Sequence, residues 1–219
     1  MHVLGQLPNA SNAAVLVRLE DGSLAVYKPR RGESPLWDFP VGTLCDREVA
    51  AYLVSRELGW PDVPRTVLRD GPYGPGAVQV FIEFDPDEHF FTLSERLPDV
   101  FRRFALFDAV VNNADRKSGH CLLGADGKVW GIDHGVCFHE EPKLRSVIWD
   151  FAGEPVERDL SEDLARLEAS LSGEGFSSQI RELLSGTECD ALRARVEGLL
   201  ASGTYPEPGP GRPFPWPPV

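Results

Sequence analysis

Basic residues are in short supply: 22 Lys and Arg stand against 34 Asp and Glu, a net charge of −12. That deficit argues against a nucleic-acid partner and against an anionic membrane surface, since both recruit proteins through excess positive charge. No run approaches the roughly 20 apolar residues of a membrane span. The N-terminus, Met1 to Asn12, has no basic region followed by an apolar one, so no signal peptide is expected. Cys45, Cys121, Cys137 and Cys189 are scattered and form no CxxC pair. Free thiols, a cytoplasmic setting and no stable membrane association are the resulting expectations. What is present is 42% hydrophobic residues over 219 positions, enough for a full core as one domain or two small lobes.

The densest chemistry runs from Phe107 to Phe138. Phe101, Phe104, Ala105, Asp108 and Val111 space out as an amphipathic helix leading into it. Cys121-Leu122-Leu123 and Lys128 to Ile132 follow as two short strands around the Ala125-Asp126-Gly127 turn. Asp115 therefore sits on a loop leaving a helix, and Asp133 sits where a buried strand ends. Phosphoryl transfer asks an enzyme for positioning and charge stabilisation: one carboxylate orients the attacking hydroxyl and a second holds a metal ion. In kinases a metal-binding side chain follows the first carboxylate by five residues, often with a cation at plus two. Here Lys117 stands at plus two and His120 at plus five, and Asp133-His134-Gly135 occupies the place of Asp-Phe-Gly. The same residues also suit a plain loop in which Asp115 caps a turn and Asp133 ends a hairpin. His120, Cys121, His134, Cys137 and His139 raise a zinc reading too, but alternate strand residues point to opposite faces, so His120 and Cys121 diverge.

The rest of the chain bears on the choice. Val3 to Leu7, Val15 to Glu20 and Ser23 to Lys28 read as strands, with Asp21-Gly22 as a hairpin turn. Ser11 and Asn12 lie in a polar loop that could cover phosphates through backbone N–H groups, although it lacks glycine. Thr43 to Leu58 reads as a helix, with Thr43 and Asp46 resembling a capping box and Gly59 as the stop. Glu48 lies close to that helix's buried side and wants a cation, for which Lys28 is the candidate; such a pair positions ATP phosphates in kinases. Val63 to Leu68 and Ala77 to Phe84 read as two more strands across a Gly/Pro turn, Asp70 to Gly76. Residues 1–85 thus form a strand-rich nucleotide-binding part and residues 86–202 a helical part. Adenine would sit at the join, on backbone groups of Glu83 and Phe84 with Ile132 as an apolar wall. Ser94 to Asn113 reads as one helix bent near Pro98, and three further helices are expected over 160–171, 177–184 and 187–201. The tail, 203–219, is proline-rich and excludes helix or central strand; binding a partner and packing on its own domain are both open to it. The segment from Ser146 to Phe151 has no assigned role.

Four segments occur in an order that resembles the phosphatidylinositol 3/4-kinase-like superfamily: A-V-Y-K-P-R-R-G-E (25–33), R-E-V-A-A-Y-L-V (47–54), N-N-A-D-R-K-S-G-H (112–120) and G-I-D-H-G-V-C-F (131–138). The match is nearest to type II phosphatidylinositol 4-kinases and more distant to HipA-type kinases, and covers roughly residues 5 to 150. The resemblance implies an α+β, two-lobed protein-kinase-like fold, with a small antiparallel β N-lobe carrying one helix and a mainly helical C-lobe. It implies ATP with Mg²⁺ or Mn²⁺ between the lobes. Lys28 would contact phosphates and pair with Glu48, Asp115 would be the catalytic base, and Asp133 would be a metal ligand. The family generally has Asn where this chain has His120; an imidazole there points to Mn²⁺, a single-metal site or weak activity. The expected activity is phosphoryl transfer from ATP to a hydroxyl of a protein or small soluble molecule. A nucleotide-binding pseudokinase or a phosphoinositide lipid kinase is the alternative. The acylated cysteine-rich segment of the lipid kinases is missing, and no basic amphipathic helix replaces it.

Overall fold

The structure, a computed structural model, describes residues 1–7 and 13–218. Ser11 and Asn12 lie outside the described residues. Alternating burial and the Asp21-Gly22 turn build the first hairpin: β2 (Val15–Arg18) pairs antiparallel with β3 (Leu24–Pro29), Val15 opposite Tyr27 and Arg18 opposite Leu24. β1 (His2–Gln6) adds to the other edge of β2, and β4 (Thr66–Gly71) and β5 (Gly74–Val80) complete a sheet of order β1-β2-β3-β5-β4, antiparallel throughout. Val15, Val17, Ala25, Tyr27 and Val78 form a small core on one face.

The second hairpin differs from the expected strands at 63–68 and 77–84, since both strands run on into the Gly/Pro segment read as a turn. The glycines there serve close approach. A Cβ on Gly76 would lie 2.3 Å from the Lys28 carbonyl oxygen, and one on Gly71 would lie 2.6 Å from the Tyr27 ring. Only a residue without a side chain lets β5 and the hairpin tip lie against β3.

Helix α1 (Leu44–Leu58) stops where expected, at Gly59 with φ +84°. Its start is different. Thr43 is itself helical, its hydroxyl donates to the Pro40 carbonyl (2.8 Å), and Asp46 pairs with Arg30 at 2.6 Å, so the Thr43–Asp46 capping box is not formed. The Glu33 carboxylate instead accepts from the N–H groups of Leu44 (3.3 Å) and Cys45 (3.0 Å). A full negative charge at a helix N-terminus satisfies orphan donors and complements the dipole. Glu33 does so from the loop that follows the Lys28 strand, which fixes that strand against α1.

The remaining chain is mainly helical. α2 (Phe90–Leu93) is a single turn, and α3 (Pro98–Val111) begins with Pro98 at its first position, where a missing N–H costs nothing. The single bent helix expected over 94–113 is therefore α3 alone, with residues 94–97 a turn between it and α2. β6 (Cys121–Leu123) and β7 (Val129–Gly131) form the short hairpin after the loop, and α4 (Arg158–Ser172), α5 (Glu174–Arg181) and α6 (Gly186–Ser202) close the C-lobe. The main core joins Ala50, Val54 and Leu58 of α1 to Phe101, Phe104 and Phe107 of α3 and Leu164, Leu192 and Val196 beyond. Buried Arg47 clamps α1 further, pairing with Glu188 on α6 and donating to the Cys137 carbonyl at 2.6 Å. The result is a two-lobed kinase-like α+β fold.

Among its described residues, 203–218, the proline-rich tail has no helix or strand and lies across its own chain. Tyr205 is buried and donates to Glu157 at 2.8 Å. The Pro213 carbonyl accepts from Ser146 N (3.0 Å) and Trp149 Nε1 (3.2 Å), and the Pro218 carbonyl accepts from Ser118 N (2.9 Å). The segment left without a role, Ser146 to Phe151, is thus the tail's landing strip. Among the described residues no helix is long and apolar enough to cross a membrane.

Candidate active site

Lys28 is the next-to-last residue of β3, with its ammonium between two carboxylates. It pairs with Glu48 on α1 and with Asp133, 3.0 Å away on the chain leaving β7. Burial alone would lower the Lys28 pKa, but the Asp133 and Glu48 carboxylates outweigh it and raise it. Lys28 in turn holds Asp133 far below the usual carboxylate range. The second Glu48 oxygen accepts from the His134 N–H at 3.2 Å, so one carboxylate ties the β3 cation to the backbone beside Asp133. Asp133 adopts φ +62°, a strained value for a non-glycine residue that the surrounding bonds impose.

The loop carrying Asp115 is built on buried polar groups that no sequence pattern singled out. Asn113 accepts from Asp115 N (2.9 Å) and donates to Asp108 (3.0 Å). Arg116, wholly buried, forks onto both Asp108 oxygens and donates to the Ile132 carbonyl at 3.1 Å. Arg116 also lies 2.7 Å from His134 Nε2, which with burial keeps His134 neutral. On the other side Arg116 N donates to Arg145 O (3.0 Å) and Val147 N to Arg116 O (3.1 Å). Asp115 itself faces outward, 3.3 Å from Lys117 Nζ. Burial pushes the Asp115 carboxyl above its ordinary range, against the pull of Lys117. The signal available for Asp108 was an acidic residue on the apolar side of a helix.

His120 lies beside Asp133, its Nε2 3.4 Å from Asp133 Oδ2. Its Nδ1 accepts from Lys117 N at 3.4 Å, which assigns the ring proton to Nε2. Burial lowers its pKa to about 4, so the ring is neutral near pH 7. In this tautomer Nε2 carries its proton beside the Asp133 carboxylate without a hydrogen bond to it, and acting as a metal ligand would require breaking the Lys117 bond. Among the described residues no group of three or more His, Cys, Asp or Glu is placed to hold a metal ion, so the zinc reading has no cluster to rest on. A metal carried by nucleotide phosphates needs only one or two protein oxygens. Asp133, ionised and with 46% of its side chain exposed, fits that demand.

Lys28, Glu48, Asp115, Lys117 and Asp133 all line one cavity of about 410 Å³. Glu83, Phe84, Ile132 and His120 do not. Glu83 and Phe84 are exposed on the connection between lobes. An antiparallel bridge joins Phe84 to Gly124, with Ala125 N donating to Glu83 O (3.0 Å) and Asp85 N to Leu123 O (3.0 Å). Successive amides of an extended strand face opposite ways. The Glu83 carbonyl is therefore taken by the hairpin, and Phe84 is the residue whose backbone points away from it.

Known proteins resemble this chain in sequence and in fold. It is 40% identical to Protein Rv2133c of Mycobacterium tuberculosis, over 98% of this chain and 91% of that protein. It is 27% identical over 192 residues to phosphatidylinositol 4-kinase gamma 4 of Oryza sativa subsp. japonica; this covers 73% of the chain and 33% of the rice protein. Of the solved structures, the Helicobacter pylori proinflammatory kinase CtkA superposes with a TM-score of 0.58 over 93% of both chains, at 14% identity. The Golgi casein kinase with Mn/ADP bound superposes with a TM-score of 0.51 over 92% of this chain and 71% of that one, at 13% identity. No family model matches the sequence. At such identities the structural likeness shows the kinase-like fold alone.

Proposed function

The chain belongs to the family of the Mycobacterium tuberculosis protein Rv2133c, and we propose that it is a small cytoplasmic ATP-dependent phosphotransferase of phosphatidylinositol 3/4-kinase-like descent. The observation that carries this reading is the convergence of Lys28, Asp133, Asp115 and Lys117 on one cavity. Residues 1–85 serve as the nucleotide-covering lobe, 86–202 as the catalytic lobe and 203–219 as the tail.

Lys28, held by Glu48, presents a fixed positive charge to the phosphates of ATP. A divalent cation, Mg²⁺ or Mn²⁺, supplies further charge neutralisation when bound, and Asp133 holds it. His120, with Nε2 3.4 Å from Asp133 Oδ2, stands against one side of that carboxylate. Asp115, made more basic by burial, takes the proton of the acceptor hydroxyl as its oxygen bonds to phosphorus and the bond to the ADP oxygen breaks. Lys117 offsets the charge near the attacking oxygen. Phe84 offers its backbone edge to adenine.

A second reading, a nucleotide-binding module without transfer, draws on the His120 tautomer, which puts an N–H beside Asp133 where kinases carry a second metal ligand. ADP release separates the two. For an active enzyme Asp115→Asn lowers ADP formation by about 10²–10⁴-fold while ATP still raises the melting temperature. Equal ADP formation by variant and wild type removes Asp115 from the role of base.

A further inference from the structure

The tail does more than pack. Between its two anchors, the Pro213 carbonyl on Ser146 and Trp149 and the Pro218 carbonyl on Ser118, residues 214–217 span a short arch. Ser118 follows Lys117 directly, so the arch ends on the loop that carries Asp115. Trp216, in the middle of the arch, lines the same cavity as Asp115 and Lys117 yet is 75% exposed. It forms a wall of the cavity without plugging it. Trp37, 92% exposed, lines the cavity as well, from the loop between β3 and α1. Lys143 Nζ lies 5.3 Å from the Trp37 ring centroid and Arg212 Cζ 5.3 Å from the Trp216 ring centroid, yet both indoles remain largely in water, and two such indoles on one cavity point to a ligand that covers them. Prolines at 213, 215, 217 and 218 restrict the arch's backbone, so little freedom remains to be lost on binding.

Its position tells which ligand. None of the adenine-side residues, Glu83, Phe84 or Ile132, lines this cavity, whereas both phosphate-facing residues Lys28 and Asp133 do. The cavity therefore opens on the acceptor side of the transferred phosphoryl group. Its cations are Lys28, Lys117 and Arg145. The first two face carboxylates. Among the described residues the Arg145 guanidinium has no carboxylate partner, while its backbone is pinned by Asn113 and Arg116. A volume of about 410 Å³ suits a small molecule.

We propose that this cavity is the acceptor site, that it takes a small anionic molecule with a flat face bearing the hydroxyl, and that Trp216 and Trp37 stack on that face while Arg145 binds the anion. The proposal rests on the phosphotransferase reading and narrows its acceptor to a small molecule. Trp216 and Arg145 are its specificity-determining residues.

Saturation-transfer NMR on the full chain with ATP and Mg²⁺ tests this, using 4-(hydroxymethyl)benzoate as the probe, benzyl alcohol as the flat uncharged control and gluconate as the anion without an aromatic face. Wild type binds the benzoate probe at least tenfold more tightly than benzyl alcohol. Gluconate bound as tightly as the benzoate removes the flat face from recognition and overturns the proposal. Trp216→Ala weakens the benzoate probe about tenfold, Trp216→Phe restores most of it, and Arg145→Gln reduces it to the level of benzyl alcohol. Equal binding by wild type, Trp216→Ala and Arg145→Gln overturns the proposal, as does absence of binding by every probe. A thermal shift with ATP plus Mg²⁺ on the same samples keeps the two levels apart. A normal nucleotide shift with no probe binding sinks the acceptor site alone, and no nucleotide shift in wild type sinks the phosphotransferase reading.

Discussion

The Arg116 guanidinium and the Asp108 carboxylate form a completely buried pair, with Nη2 2.9 Å from Oδ1 and Nε 2.9 Å from Oδ2. Asp108 is on α3 and Arg116 is on the loop that carries Asp115, so this pair joins helix to loop. Breaking such a pair from one side leaves an uncompensated charge in the core, at a cost of about 3–5 kcal/mol. Asp108→Ala is therefore expected to lower unfolding stability by that amount in urea titration. An unchanged midpoint would show that the pair does not organise the loop.

Glu33 caps α1 although it lies eleven residues before Leu44. Glu33→Ala is expected to cost about 1 kcal/mol, in line with lost N-caps. Thr43→Ala should cost less, since its hydroxyl bonds no helix N–H. Reversal of that order in paired urea titrations would return the cap to Thr43.

His134 is buried and His120 half-buried, and both are neutral, with pKa values pushed down by desolvation, His120 to about 4. Between about pH 6.5 and pH 4 the unfolded chain therefore binds more protons than the folded one at these positions, and stability falls as pH falls through that window. For His120 the loss reaches on the order of 3 kcal/mol at the acid end. His120→Asn in the metal-free protein should flatten the acid limb of a stability–pH curve and leave stability above pH 7 little changed. An identical acid limb would mean that His120 is solvated and charged.

His120→Asn also discriminates neighbour from ligand. With its proton on Nε2 and Nδ1 held by Lys117 N, the imidazole offers no lone pair to a metal beside Asp133, so the variant's relative response to Mg²⁺ and Mn²⁺ should match wild type. A shift from Mn²⁺ towards Mg²⁺ in a nucleotide-binding titration would make His120 a metal ligand instead.

Much of the fold was legible because local rules set it. Asp21-Gly22 turns the first hairpin, Gly59 ends α1, and the periodic helices from residue 158 onward fall within a few residues of their expected spans. Lys28 could be matched to Glu48 because a carboxylate near a buried helix face needs a cation. The failures share a cause: a contact distant in sequence overrode the local signal. Gly71 and Gly76 read as turn residues, but the closeness of Tyr27 and Lys28 makes them strand. Thr43 and Asp46 read as a cap, but Glu33 and Arg30 take those roles. Arg116 looked like one more charge in a polar loop until Asp108 met it, and nothing in a proline-rich terminus announces that Trp216 returns to the Asp115 cavity.

The most direct measurement is a thermal shift with ATP alone, ATP plus Mg²⁺ and ATP plus Mn²⁺, on wild type and Asp133→Asn. A ligand at about a hundred times its Kd adds about 2.7 kcal/mol to folded-state stability, or about 5–10 °C for a chain of this size. Wild type is expected to show a rise of that order that depends on the metal, and Asp133→Asn is expected to lose it while melting near the wild-type temperature without nucleotide. No rise in wild type, or an equal rise in Asp133→Asn, would contradict a nucleotide–metal site built on Lys28 and Asp133.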